Sequence, residues 1–148
     1  MAKLAIETSV ERWVQDFVEE YVRNPIEAHM WDSTVAGGNG ILTTLLLRPI
    51  RDTRWRPLGY QETDGSYVVM ATNGGARKHP RWFRLLEVEP RCRVRIAAEE
   101  FDAVTRIPAA SERDRLFAKM ERAFPPLFEY QRLAGKRQIP AVLIERVG

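Results

Sequence analysis

The sequence predicts a mainly-β α+β protein, with antiparallel strands forming a small barrel and helices at its periphery. Three observations carry this. The apolar period changes from helical to alternating after Ala36-Gly37-Gly38-Asn39-Gly40. Asp64-Gly65 lies between two strand-like runs as a hairpin turn. The element order (helix, several strands, helix, strand) contains no βαβ repeat, which disfavours a doubly wound nucleotide fold. The 148 residues, 45% hydrophobic and 29% charged, suit one domain over 1–148 that buries a core without disulfide or metal staples.

The first element, residues 8–23, reads as an amphipathic helix. Thr8 and Glu11 form a T-x-x-E capping box. Val10, Trp13, Val14, Phe17, Val18, Tyr21 and Val22 recur on one face, and Asn24-Pro25 stops the run. The expected placement is across the core, because an acidic polar face (Glu11, Asp16, Glu19, Glu20) would be repelled by anionic lipid. Ile41–Leu47 is rich in leucine and reads as a buried strand; Arg54–Gln61 and Ser66–Thr72 form the arms of the hairpin. In Arg91–Ala97, Cys92, Val94 and Ile96 alternate with Arg91, Arg93 and Arg95, so Cys92 packs in the core rather than acting as a nucleophile. Glu99-Glu100 is expected to turn that strand into Phe101–Ile107. Ser111 with Asp114 caps a helix whose Leu116, Phe117, Met120 and Phe124 face inward. Pro125-Pro126 ends it, a short helical piece spans Leu127–Ala134, and Ile139–Val147 is the last strand.

Composition narrows the function. No apolar run reaches the roughly 18 residues of a membrane helix. The start, MAKLAIETSVERW, lacks the apolar core of a signal peptide, and a single cysteine fits a reducing compartment. The expected location is therefore the cytoplasm, with at most peripheral membrane contact. A net charge of +3 does not suggest a nucleic-acid binder. Two histidines and no paired cysteines offer no metal site, and the sequence contains no nucleophile elbow, Walker loop or G-x-G-x-x-G. No side chain here carries two-electron chemistry alone, so catalysis would need a cofactor.

Two features remain. Arg48, Arg51, Arg54 and Arg56 fall within nine residues, either as a solvated loop or as guanidinium forks for an anion. Ala71-Thr72-Asn73-Gly74-Gly75-Ala76-Arg77-Lys78-His79-Pro80-Arg81-Trp82 begins at a strand end and runs into a helix, Arg81–Glu87. Its two glycines let backbone approach a ligand, the donors of Thr72, Asn73 and Lys78 converge near the turn, and the helix start favours an anion.

Pro57-Leu58-Gly59-Tyr60, then Val68–Phe83 with its N-G-G-A-x-K-H-P-x-W core, resembles the deazaflavin (coenzyme F420)-dependent nitroreductase family. Glu89-Pro90, Tyr130-Gln131 and Arg137-Gln138-Ile139-Pro140 continue the pattern, so the resemblance covers roughly residues 40–147. It implies an antiparallel split β-barrel of the FMN-binding kind. It also implies hydride transfer from reduced F420 to an activated small-molecule acceptor, such as a nitroaromatic, enone or quinone. Arg48, Arg54 and Arg56 fall at or beside the positions that hold the cofactor's anionic tail; Pro57, Met70, Ala71, Thr72, Asn73, Gly74, Gly75 and Lys78 at those around the deazaflavin; and Arg81-Trp82 at the helix start that closes over it. Phe124, Leu127 and Tyr130 fall on the substrate side, where Tyr130 either hands a hydrogen bond or proton to the acceptor or only lines the wall. Where the family carries G-R-K-S-G this chain has Leu47-Arg48-Pro49-Ile50-Arg51, and Leu127 replaces a third aromatic. An FMN enzyme on the same barrel and a non-catalytic F420- or lipid-binding relative are the alternatives, as monomer or homodimer.

Overall fold

The computed structural model describes residues 2–148, with side chains from Glu11 onward. In order the elements are α1 (Ala2–Arg23), α2 (Pro25–His29), β1 (Met30–Asp32), β2 (Ile41–Pro49), β3 (Arg56–Gly59), β4 (Gln61–Thr63), β5 (Ser66–Met70), α3 (Arg81–Val88), β6 (Arg91–Ile96), β7 (Glu99–Arg106), α4 (Ala110–Ala123), α5 (Leu127–Ala134) and β8 (Ala141–Arg146). All strand pairings are antiparallel, in the order β1-β2-β6-β7-β8-β5-β4, with β3 also on β2. The path therefore runs from β1 to β4, with β3 branching from β2, and β3 and β4 are consecutive segments joined through Tyr60. This is the expected split barrel.

Alternation builds two apolar layers from the same strands. Val69 and Ala71 of the β5 strand end, with Val142 and Ile144 of β8, face the barrel interior alongside Leu45, Leu47 and Val94. Val68, Met70, Ala141 and Leu143 face outward and are covered by Leu116 and Met120 of α4 and by Leu127 and Ala134 of α5. Strands covered on both faces carry continuous apolar runs, as Val68–Met70 and Ala141–Ile144 do. Helix α3 plugs the interior with Trp82, Phe83 and Leu86.

Several boundaries differ from expectation for local reasons. The Asp64-Gly65 turn forms with both residues at positive φ, joining Thr63 to Ser66. The β6–β7 turn is Ala97-Ala98 rather than Glu99-Glu100, since Ile96 pairs with Glu99. Ala97 sits at φ 53°, and its N–H donates to the Tyr21 hydroxyl at 2.8 Å. The backbone of α1 is already helical before Thr8, so Thr8 is not its N-cap. Val10 lies outside the residues with described side chains. Helix α4 starts at Ala110, two residues early, with Ala109 and not Ser111 at the N-cap, and the Asp114 carboxylate meets Arg113 rather than a capped N–H. Pro25 does not end helical structure; it occupies the first position of α2, where its missing N–H is harmless.

Candidate functional site

The turn after β5 is shaped by three consecutive left-handed residues. Asn73, Gly74 and Gly75 have φ of 48°, 63° and 83°. Asn tolerates this conformation, and its side-chain amide donates to the Lys78 carbonyl at 3.0 Å, which folds the loop back on itself. The two glycines serve different needs. A Cβ on Gly74 would meet nothing within 4 Å, whereas one on Gly75 would lie 3.0 Å from the Tyr130 carbonyl oxygen of α5. Only Gly74 borders open space, and Gly75 lets the loop pack on the helix.

That open space is a cavity of about 350 Å³ on the outer face of the barrel. Its lining takes Pro57, Met70, Thr72 and Gly74 from β3, the β5 end and the turn after it, and Phe124, Leu127 and Tyr130 from the α4 end and α5. Phe124 and Tyr130 are tilted neighbours with ring centroids 6.1 Å apart, and Trp31 extends the wall at 6.5 Å from Phe124. Seven of the residues expected at the site therefore share one space. Trp82 does not; it is 6% exposed and turned into the barrel interior against Phe83. Ala71 is likewise buried in the interior. Asn73 is committed to the loop's own carbonyl, and the Lys78 side chain is exposed.

The arginines gather beside this cavity. Pro49 through Asp52 makes a tight turn, with Asp52 N–H donating to the Pro49 carbonyl at 2.9 Å, so the glycine-free loop is short. The Asp52 carboxylate accepts from the N–H groups of Thr53 (2.7 Å) and Arg54 (3.2 Å) and lies 4.0 Å from the Arg81 guanidinium. Arg48 donates to the Asp52 carbonyl at 3.0 Å and stacks 5.4 Å above Trp55. Arg54 and Arg56 each stand 3.6 Å from Glu11 of α1. Between α1 and residues 53–56 is a second cleft, of about 660 Å³. Helix α1 roofs both spaces, with Trp13 and Phe17 over the first and Glu11, Val14 and Val18 over the second.

This corrects the expectation that α1 packs across the core. Among its described side chains only Tyr21 is fully buried, donating to the Thr44 carbonyl at 2.9 Å, while Trp13 is 52% exposed. Its apolar face is spent largely on roofing the cavity. Residues that sequence reasoning missed include Trp31, Leu42, Thr44 and Met120 on the cavity walls. Arg137, which fastens the loop from beneath, was missed too. Leu42 and Met120 read as ordinary core side chains of their strand and helix, and for Arg137 the only signal was its place in the Arg137–Pro140 run. Burial pushes the Cys92 thiol up to about 12, in keeping with inert packing. Among the described residues no cluster of His, Cys, Asp or Glu could hold a metal, and no helix is long and apolar enough to cross a membrane.

The chain is similar in fold to several solved proteins. A structure described as an F420-H2 dependent reductase (FDR-A) matches at 28% identity and a TM-score of 0.61, over 69% of this chain and 93% of that one. One described as a domain-swapped dimer matches at 22% identity and a TM-score of 0.64, over 98% of this chain and all of the other. The heme storage protein HutZ from Vibrio cholerae shares the fold at 18% identity and a TM-score of 0.52, over 71% of this chain and 82% of that one. The family model described as F420H(2)-dependent quinone reductase matches residues 33–146. That span takes in every strand from β2 onward, the turn after β5 and both groups of lining residues, Pro57–Gly74 and Phe124–Tyr130. The chain therefore belongs to the F420H2-dependent quinone reductase family, and is an oxidoreductase whose cofactor is F420.

Proposed function

We propose that this protein passes a hydride from F420H2 to a small activated acceptor (a nitroaromatic, enone or quinone) held in the cavity between the turn after β5 and α5. The observation that carries the reading is a shared lining: Pro57, Met70, Thr72 and Gly74 border the same space as Phe124, Leu127 and Tyr130.

The residues present fit the cofactor. A cavity of about 350 Å³ lies within the range of about 300–1,000 Å³ typical of ligand pockets. Its walls are mainly apolar, suited to a planar ring, and the glycine at position 74 leaves room for close approach. Arg48, Arg54, Arg56 and Arg81 sit to one side, where guanidinium forks suit phosphate and carboxylate groups. F420H2 supplies the hydride when bound. The chain's own contribution is position: Met70, Thr72 and Gly74 would hold the ring, and Phe124 and Tyr130 would line the space for an aromatic or enone acceptor. Fixing donor and acceptor in near-attack geometry lowers a barrier by about 7–11 kcal/mol. Trp13 and Phe17 of α1 exclude water from above. The Tyr130 hydroxyl donates a hydrogen bond to the acceptor oxygen, with the proton itself coming from solvent.

The test is a fluorescence titration of the purified protein with F420 and with FMN, followed by F420H2 oxidation against a panel of acceptors. Micromolar binding of F420 alone, with turnover of at least one quinone, enone or nitroaromatic, is expected. Binding of F420 without turnover of any acceptor makes it a binding protein, and preferential FMN binding makes it a flavin enzyme. The relative described as a domain-swapped dimer favours a homodimer here; sedimentation velocity gives the mass directly.

A further inference from the structure

Three carbonyl groups of the turn after β5 converge on one side chain from sixty residues later. Arg137 donates from Nη1 to the Ala71 carbonyl at 3.0 Å, from Nη2 to Thr72 at 2.6 Å and from Nε to Ala76 at 2.8 Å. Its Nη1 also meets His79 Nδ1 at 3.1 Å. Arginine has donors only, so His79 Nδ1 must be the accepting nitrogen and the imidazole proton sits on Nε2. Burial, then the charge of Arg137, holds His79 below its ordinary value in agreement with this. The planar fork is used on backbone carbonyls, which a lysine's single ammonium cannot span.

The segment bearing Arg137 is itself fastened to α5 and α4. Gln131 of α5 donates to the Arg137 carbonyl at 2.8 Å, and its side-chain oxygen accepts from the Ile139 N–H at 2.9 Å. Arg113 of α4 donates to that same oxygen at 2.8 Å and to the Ile139 carbonyl at 2.9 Å. Gln131 immediately follows Tyr130. A continuous polar network thus runs from the Thr72–Gly74 wall, through Arg137, to the helix carrying Tyr130.

We propose that Arg137 is the positioning residue that sets the turn after β5 relative to α5, with Gln131 locking the same segment to that helix. Its role in turnover rests on the reading of this cavity as the site where cofactor and acceptor meet. The guanidinium holds Ala71 through Ala76 in a path that otherwise depends on three left-handed residues, and it does so without touching either ligand.

The experiment uses R137A and R137K in the full chain, with three readouts. Amide hydrogen exchange of residues 72–78, measured without cofactor, should quicken by about 10- to 100-fold in R137A while the β6 and β7 amides keep their protection. F420 affinity and kcat should each fall by about tenfold or more, with KM for the acceptor nearly unchanged. Millimolar guanidinium chloride should partly restore R137A, and R137K should resemble R137A rather than wild type. Should R137A not fold, R137K carries the same exchange and kinetic comparison. Unchanged exchange in the 72–78 loop overturns the proposal, as does full activity in R137K. If the loop loosens as expected but wild type itself binds no F420, the reading of the cavity fails while the positioning role stands.

Discussion

In the proposed reading, Tyr130 brings a phenolic hydroxyl to the acceptor side of the cavity. A hydrogen bond from its hydroxyl to a neutral acceptor is worth about 1 kcal/mol, so Y130F should lose about fivefold in kcat/KM. Steady-state F420H2 oxidation measures this; a loss beyond about 100-fold would make Tyr130 the general acid instead. The two histidines give a prediction for stability. Burial lowers the pKa of both His29, whose ring lies 2.6 Å from the Tyr60 hydroxyl, and His79. Unfolding therefore takes up protons as the pH drops below the ordinary 6.5. The stabilisation is fully present above that value and is lost as the pH falls through the lowered ones. Thermal melts should show Tm declining from pH 7 to about 5, with a shallower slope in an H29Q/H79Q variant. Residue chemistry was only partly legible in the sequence. Cys92 was, because strand alternation alone placed it inside. Trp82 was not, because the eight residues of α3 leave its helical phase undetermined and Trp82 suits either a pocket or a core. Arg137 was not, because its partners are carbonyl groups that carry no sequence identity.

At the scale of single elements, the turn after β5 and helix α1 make separate predictions. G74A and G75A both force alanine into left-handed backbone, at about 1–2 kcal/mol. G75A also drives a methyl against the backbone of α5, adding about 1–3 kcal/mol. Chemical denaturation should therefore rank G75A well below G74A. For α1, Glu11 stands between Arg54 and Arg56, where an anionic tail would bind. Exposed ion pairs of this kind are worth about 0–1 kcal/mol. E11Q should tighten F420 binding by up to about fivefold, R54A should weaken it, and neither should move Tm. Fluorescence titration at low and high salt gives the check, since the arginine contribution should fade with ionic strength. The hairpin at Asp64-Gly65 was legible because a two-residue connection demands positive φ and that pair supplies it. Helix α2 and β1 were hidden because Asn24-Pro25 reads equally as a stop and as a fresh start. The roofing position of α1 was also hidden, since an apolar stripe does not say whether core or cavity lies beneath it.

For the molecule as a whole, the net charge of +3 is an average over an uneven surface. Four arginines fall in residues 48–56, and two of them, Arg54 and Arg56, line the cleft that Glu11 and Glu19 of α1 also border. The barrel was legible from period and turn signals together, whereas its strand order was not, because pairing between distant segments leaves no local mark. That order has a consequence for how the chain is made. Strand β8 lies in the middle of the sheet, between β7 and β5, although it follows all the other described strands in the sequence. Until Ala141–Arg146 has left the ribosome, β5 and β7 each keep an unpaired edge. About 75 residues separate the end of β5 from the end of β8, which at about 5–20 residues per second leaves the β5 edge unpaired for roughly 4–15 s. The nascent barrel is thus open to mispairing and chaperone capture over that interval, and its closure is timed by translation of β8.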